Sequence, residues 1–346
     1  MPNKDIYFVT NRNPINEPVT DFGNGFSPVD GKDLRYGEAR VDLASGKMTK
    51  LTVYDQTLHS PAVATRSSRD DRYVFGSARL HEISYKAMCD DQADLIVLIH
   101  GFWNNFQESV ERAAGLARYW NKLDWPLVAF CWPSNGSAGK YVGDRKNAER
   151  SGPAMGRAIG KLTDFLATLK RKEWCGQRIH LVAHSMGNYL LRHAVQSLIK
   201  DYPDGRVPRI FENVFLIAAD EDADALDIHF GQQKLLPVTG MARRVTVYHT
   251  VKDFALFASD DIKFNPDRLG HDGPKRMAAT PDNVTAVDVF DVVEVGAART
   301  ESNHGYHRSV DAVRDDIAAV LAGTEPHAVP KRVAVPREAR RYKITV

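Results

Sequence analysis

The chemistry of this chain is concentrated at one serine. The run Arg178-Ile-His-Leu-Val-Ala-His-Ser-Met-Gly-Asn-Tyr-Leu-Leu-Arg-His-Ala194 reads as a buried strand (Ile179, Leu181, Val182), a tight turn and an amphipathic helix. A small-x-Ser-x-Gly sequence between a strand and a helix is the setting of a nucleophile elbow. Residues two before and two after the serine must be small for so sharp a turn, and here they are Ala183 and Gly187. The hydroxyl of Ser185 would then project at a helix N-terminus, where free N–H groups and the helix dipole favour developing negative charge.

Acyl transfer at a serine also needs two N–H donors aimed at the tetrahedral oxyanion. One is expected from Met186. The other normally comes from a loop after an earlier strand, often marked His-Gly. Such a strand, Ala93-Asp-Leu-Ile-Val-Leu-Ile-His-Gly-Phe-Trp103, lies upstream and would offer the Phe102 N–H.

A serine further needs a histidine base, itself oriented by a carboxylate. The expected chain order is Ser, then acid, then His. Asp253 follows the apolar run 244–249, and the cluster Asp220, Asp222, Asp224 follows the preceding one. Asp253 is preferred as a lone carboxylate ahead of a short apolar stretch; the cluster also reads as a solvated helix start. The base lies in Glu301-Ser-Asn-His-Gly-Tyr-His-Arg-Ser309. His304 is preferred over His307 because Gly305 lets its loop turn inward. His100 is read as a brace for the oxyanion loop, His184 as filling the variable elbow position, and His180 as lying mid-strand.

The surrounding pattern supplies a scaffold for these groups. Strand 94–100, helix 105–121, strand 127–132, helix 153–170, strand 178–183 and the helix after Ser185 alternate. Strands 213–219, 244–249 and 284–292 and a last helix, 309–322, follow. Strands that are continuous Val/Ile/Leu runs are buried on both faces, as in a parallel sheet covered by helices. The expectation is an α/β fold with a mostly parallel sheet, an α/β core over 91–323 and no large cap domain. Residues 1–90 carry short strand-like runs (7–10, 51–54 and 73–75) that read as antiparallel strands extending one edge. Residues 324–346 form a basic arm: a flexible tail, or a strand over 342–346 that docks on a neighbouring subunit and makes a homo-oligomer.

Composition limits the function classes. With 346 residues, 43% apolar and 26% charged, the chain has ample core. A formal net charge of +2 implies no nucleic-acid partner. Cys89, Cys131 and Cys175 are far apart in sequence, with neither metal-ligand spacing nor a disulfide framework. The polar start is not read as a signal peptide, and no stretch approaches the roughly 20 apolar residues of a membrane span. A cytoplasmic, metal-independent and cofactor-free protein is expected. Trp103, Phe106, Trp132 and Tyr141 are expected to ring the site as an apolar acyl-binding surface.

Together these residues resemble the α/β-hydrolases, and within them an uncharacterised bacterial esterase/lipase-like family, domain of unknown function nine hundred. The resemblance extends over about 6–322. It is carried by Phe8-Val-Thr-Asn-Arg12, Leu34-Arg-Tyr-Gly37, Ile99-His-Gly-Phe102 with Asn104-Asn105, and Phe130-Cys-Trp-Pro-Ser134. Tyr141, Asp144-Arg145, the Ala-His-Ser-Met-Gly elbow, Val247-Tyr248 before Asp253, and His304-Gly-Tyr306 complete it. It implies a serine hydrolase with Ser185 as nucleophile, Asp253 as acid and His304 as base. A carboxylesterase for small or medium esters is the leading expectation. An acyltransferase or amidase would use the same triad, and a non-catalytic binding protein of the same fold is the remaining alternative.

Overall fold

The computed structural model describes residues 2–27, 33–54, 76–135, 140–202, 204–253, 255, 267–294 and 303–346. Its sheet is organised around β6 (Leu95–Ile99), a run of five aliphatic residues buried at every position. Alternation along a strand sends successive side chains to opposite faces. Leu95, Val97 and Ile99 enter one apolar layer, and Ile96 and Leu98 the other. Such a strand needs helices on both sides, and it has them.

In chain order the strands are β1 (Asn3–Thr10), β2 (Arg12–Ile15), β3 (Asp21–Phe26), β4 (Arg35–Asp42), β5 (Lys47–Tyr54), β6, β7 (Leu127–Cys131), β8 (Ile179–His184) and β9 (Phe211–Ile217). They continue with β10 (Ala242–His249), β11 (Val284–Asp288), β12 (Arg332–Ala334) and β13 (Arg341–Ile344). Among the described residues, eleven of them make one sheet ordered β12-β13-β11-β10-β9-β8-β6-β7-β1-β4-β5. Pairing is parallel from β1 through β13. β4, β5 and β12 run antiparallel at the two edges, and β2 and β3 form a separate hairpin.

Helices α1 (Gly76–Asp91), α3 (Tyr141–Thr168) and α4 (Met186–Leu198) cover one face, and α2 (Phe106–Tyr119) and α6 (Asp311–Leu321) the other. A one-turn helix, α5 (Leu269–Asp272), follows β10. Asn105 caps α2 through a reciprocal pair with Glu108, each hydrogen bond 2.8 Å, which satisfies two N–H donors at the helix start. Among the described residues no helix is long and apolar enough to cross a membrane.

Three elements differ from the sequence expectation. Residues 76–91, inside the 1–90 region expected to hold only edge strands, form a helix; Leu80, Ser84 and Met88, spaced by four, face the core. The run at 73–75 lies outside the described residues. Helix α3 begins at Tyr141 and passes through Pro153 instead of starting there. An internal proline costs a helix about 3 kcal/mol, and intimate packing on α4 offsets it. A Cβ on Gly152 would lie 2.3 Å from His193 Cβ, and one on Gly156 2.8 Å from the Ala194 carbonyl oxygen. Finally, the C-terminal strand forms but pairs with β11 of its own chain. Arg332 and Asp316 of α6, both buried, anchor this hairpin through a bidentate pair at 2.7 Å.

Candidate active site

Strand β8 lies between β6 and β9, so the turn at its end emerges from the middle of the sheet. Ser185 there has φ 56° and ψ −129°, a conformation uncommon outside glycine. The end of β9 and the start of α4 hold it in place. The Ser185 N–H donates to the Ile217 carbonyl (3.0 Å), and the Asp220 and Asn188 N–H groups donate to the Ser185 carbonyl (3.2 and 3.0 Å). The Asn188 amide adds donations to the Ala183 and Ser185 carbonyls, both 3.0 Å. A Cβ on Gly187 would sit 2.6 Å from the Ile99 carbonyl oxygen, which explains why only glycine fits there. Gly101 is under the same constraint from the serine itself: its Cβ would lie 2.8 Å from Ser185 Cβ.

That close approach brings the loop after β6 against the elbow. His100 is buried, with Nδ1 2.7 Å from the Gly101 carbonyl oxygen. Its ring stacks on Trp132, whose indole N–H donates to the His100 carbonyl (2.9 Å). Burial pushes the His100 imidazole down to about 3, so it braces the loop as a neutral ring. The Asn104 amide donates to the Gly101 and Phe102 carbonyls at 3.0 and 2.9 Å. Sequence reasoning missed the next support, Arg12, which is fully buried. Its guanidinium donates to the Asn104 (2.7 Å), Gly23 (3.1 Å) and Ser134 (3.3 Å) carbonyls. Among the described residues the Phe102 N–H has no hydrogen-bond partner. Met186 is the first residue of α4, where an N–H has no intrahelical acceptor.

The fully buried Asp253 lies four residues beyond β10, in a turn closed by its own N–H donating to the Thr250 carbonyl at 3.1 Å. Its Oδ2 is 2.7 Å from His304 Nδ1. A carboxylate there makes Nδ1 the protonated nitrogen of the neutral ring and leaves Nε2 as the basic one. The His304 turn is fixed by its neighbours. The Tyr306 hydroxyl donates to the Tyr248 carbonyl (2.8 Å) and accepts the Ala218 N–H (3.0 Å). From the elbow itself, His184 Nε2–H donates to the His304 carbonyl at 3.0 Å, with ring centroids 4.8 Å apart. His184 therefore ties the elbow to the His304 loop, a role its position in the sequence did not reveal.

The alternative residues are engaged elsewhere. His307 is buried against His184, and its carbonyl accepts the Trp120 indole N–H at 2.9 Å. Asp220 accepts from the Tyr141 hydroxyl and lies 3.4 Å from Arg145. Asp222 pairs with Lys234 (2.9 Å) and the buried Arg268 (3.2 Å), and Asp224 with Lys234. Glu221 faces Arg192 at 3.0 Å. This cluster is an ion-pair network behind the elbow. Of the expected aromatic ring, Trp103 is half exposed, and Tyr141 packs edge-to-face on Phe102. Trp132 and Phe106 are fully buried, Trp132 under His100 and Phe106 among Phe8 and Phe22. They support loops and cannot line an open surface. Among the described residues no group of three or more His, Cys, Asp or Glu is arranged to hold a metal ion.

Three buried histidines, His100, His249 and His307, and the half-buried His184 make stability pH-dependent. Burial lowers His100 to about 3 and His249 to about 4, and holds His184 and His307 well below the ordinary imidazole range. In the unfolded chain each takes a proton near pH 6.5; in the fold each stays neutral to lower pH. Their contribution is full above about pH 6.5. It declines as pH falls toward the folded values, by up to about 1.4 kcal/mol per pH unit for each ring. The urea midpoint should therefore drop markedly between pH 7 and pH 5. An unchanged midpoint would contradict the neutral burial of these rings.

Comparison with known proteins places the fold in a family. A family model described as "Alpha/beta hydrolase of unknown function (DUF900)" matches residues 76–322, well over half of the chain. A relative, "Uncharacterized protein alr1448" of Nostoc sp., is 35% identical over 73 residues. That stretch is 21% of this chain and spans only 17% of the relative's length. With a mostly parallel sheet covered on both faces and an elbow at its centre, the chain belongs to this α/β-hydrolase family of unknown function.

Proposed function

We propose that the protein is a metal-independent serine hydrolase, a carboxylesterase that cleaves small or medium esters through an acyl-enzyme at Ser185. The observation carrying this reading is the 2.7 Å contact between buried Asp253 and His304, on a loop hydrogen-bonded to the residue before the elbow serine. In the proposed sequence, His304 Nε2 takes the Ser185 proton as Oγ attacks the ester carbonyl. The Phe102 and Met186 N–H groups bind the resulting oxyanion. Collapse expels the alcohol, which receives the proton from His304. Water then repeats the attack with His304 as base, and the carboxylic acid leaves. Asp253 holds the tautomer and stabilises the imidazolium formed twice per turnover. Trp103, exposed beside the oxyanion loop, and the ring of Tyr141 are the proposed acyl contacts; Trp132 acts only as support.

An alkyl fluorophosphonate reacts with an activated serine and not with an ordinary one. Incubation should attach one label per chain and abolish hydrolysis of a short p-nitrophenyl ester in proportion to labelling. Full esterase activity in completely labelled protein, or no labelling of active protein, would overturn the proposal.

A further inference from the structure

Two of the three cysteines, far apart in the sequence, meet in the fold. Cys89 lies in the last turn of α1, and Cys175 in the segment that leads into β8. Hydrogen bonds clamp these two stretches together on either side of the pair. One turn before Cys89, on the same face of α1, the Tyr85 hydroxyl donates to the Glu173 carbonyl (2.6 Å) and accepts the Cys175 N–H (3.1 Å). Just after Cys89, the Gln92 amide donates to the Cys89 carbonyl (2.6 Å) and accepts from the Gln177 amide (3.3 Å). Between these links the two thiols lie within hydrogen-bond reach of each other and of the Tyr85 hydroxyl.

Both are free thiols on half-buried residues, whereas Cys131 is fully buried. Tyr85, Met88 and Cys175 line an open cavity of about 440 Å³ at the start of β8, so a molecule as small as a hydroperoxide can reach the Cys175 sulfur. The two sulfurs are not equivalent. Burial, and then the hydrogen bond to the Cys175 thiol, push the Cys89 thiol up to about 11. The negative end of the α1 dipole opposes a thiolate at Cys89 as well. Cys89 therefore keeps its proton, and its hydrogen bond holds that proton beside the Cys175 sulfur. Burial pushes the Cys131 thiol up to about 12, which keeps it out of such chemistry.

We infer that Cys89 and Cys175 form a reversible disulfide when the chain meets hydrogen peroxide, with Cys175 as the attacking thiol and Cys89 as the resolving one. Cys175 gives its proton to solvent, and its thiolate attacks one peroxide oxygen. The O–O bond breaks, and the departing hydroxide takes up a proton as water. The Cys89 sulfur then attacks the Cys175 sulfenic acid: the S–S bond forms, the S–O bond breaks, and the hydroxide that leaves takes the Cys89 proton. Two thiols are oxidised, one peroxide is reduced and two waters are released. The new bond ties α1 to the start of β8. Ser185 follows the other end of that strand, roughly 20 Å away at about 3.3 Å per residue, so the inference stands or falls apart from the hydrolase reading.

Thiol counting on the full chain provides the test. Reduced protein, freed of reductant, should show three thiols after denaturation and one after treatment with dilute hydrogen peroxide; dithiothreitol should restore all three. Non-reducing tryptic mapping should yield a linked species joining 87–112 to 173–178, lighter by two hydrogens than the separate peptides together. Dimedone, which traps sulfenic acids, should label Cys175 in peroxide-treated Cys89→Ser protein and leave Cys89 unlabelled in Cys175→Ser protein. Three thiols retained after peroxide, a loss that dithiothreitol does not reverse, or a link to 123–140, which carries Cys131, would overturn the inference. So would a disulfide found only between two chains, or dimedone labelling at Cys89 and not at Cys175.

Discussion

Ser185→Ala should lower kcat for a short p-nitrophenyl ester by a factor on the order of 10⁶ and leave the fold intact. Alanine keeps the backbone of the elbow, and the buried hydrogen bonds that hold the turn all come from main-chain atoms of residue 185 and from Asn188. Only Oγ is removed. Any residual rate should come from the oxyanion donors and substrate binding alone. Circular dichroism and the urea midpoint should match the parent. A purified variant that turns over at close to the parental rate would remove Ser185 from the mechanism.

Asp253→Asn should spare the fold and lower kcat by around 10⁴. An amide at this position donates as well as accepts, so it can stabilise the wrong tautomer of His304 and no longer balances the imidazolium. The comparison that gives this meaning is Asp222→Asn. Asp222 belongs to the ion-pair network of Lys234 and Arg268, away from His304, and its variant should keep close to parental kcat. Asp220→Asn is a poorer control, because Asp220 is buried with Tyr141 and Arg145 and its loss tests packing as much as chemistry. If the Asp222 variant proved the inactive one and the Asp253 variant active, the acid would have to be reassigned.

The parts of this molecule legible in the sequence are those governed by short-range rules. The elbow follows from residue size at Ala183 and Gly187, and β6 from an uninterrupted aliphatic run. The preference for Asp253 and His304 over their neighbours followed from chain order and loop character, and these are the two side chains that meet in the structure. What the sequence hid depends on distant contacts. Pro153 marks a helix start locally but lies within α3, because Gly152 and Gly156 admit α4 so closely. Residues 76–91 lack a strong apolar stripe, so their helix is set by packing. Trp132 looked like a substrate contact because aromatic residues after a strand often are; only the tertiary structure shows its ring under His100. Tyr306 and His184 had no sequence signature either, since each acts by hydrogen-bonding backbone groups that are remote in the chain.

The claim on which the mechanism rests is that one particular serine is activated. Peptide mapping by mass spectrometry of the fluorophosphonate-labelled protein tests it most directly. A single modified peptide containing Ser185 is expected, with the label absent from Ser185→Ala protein. A label carried by another serine, or one that persists in the Ser185→Ala protein, would contradict it.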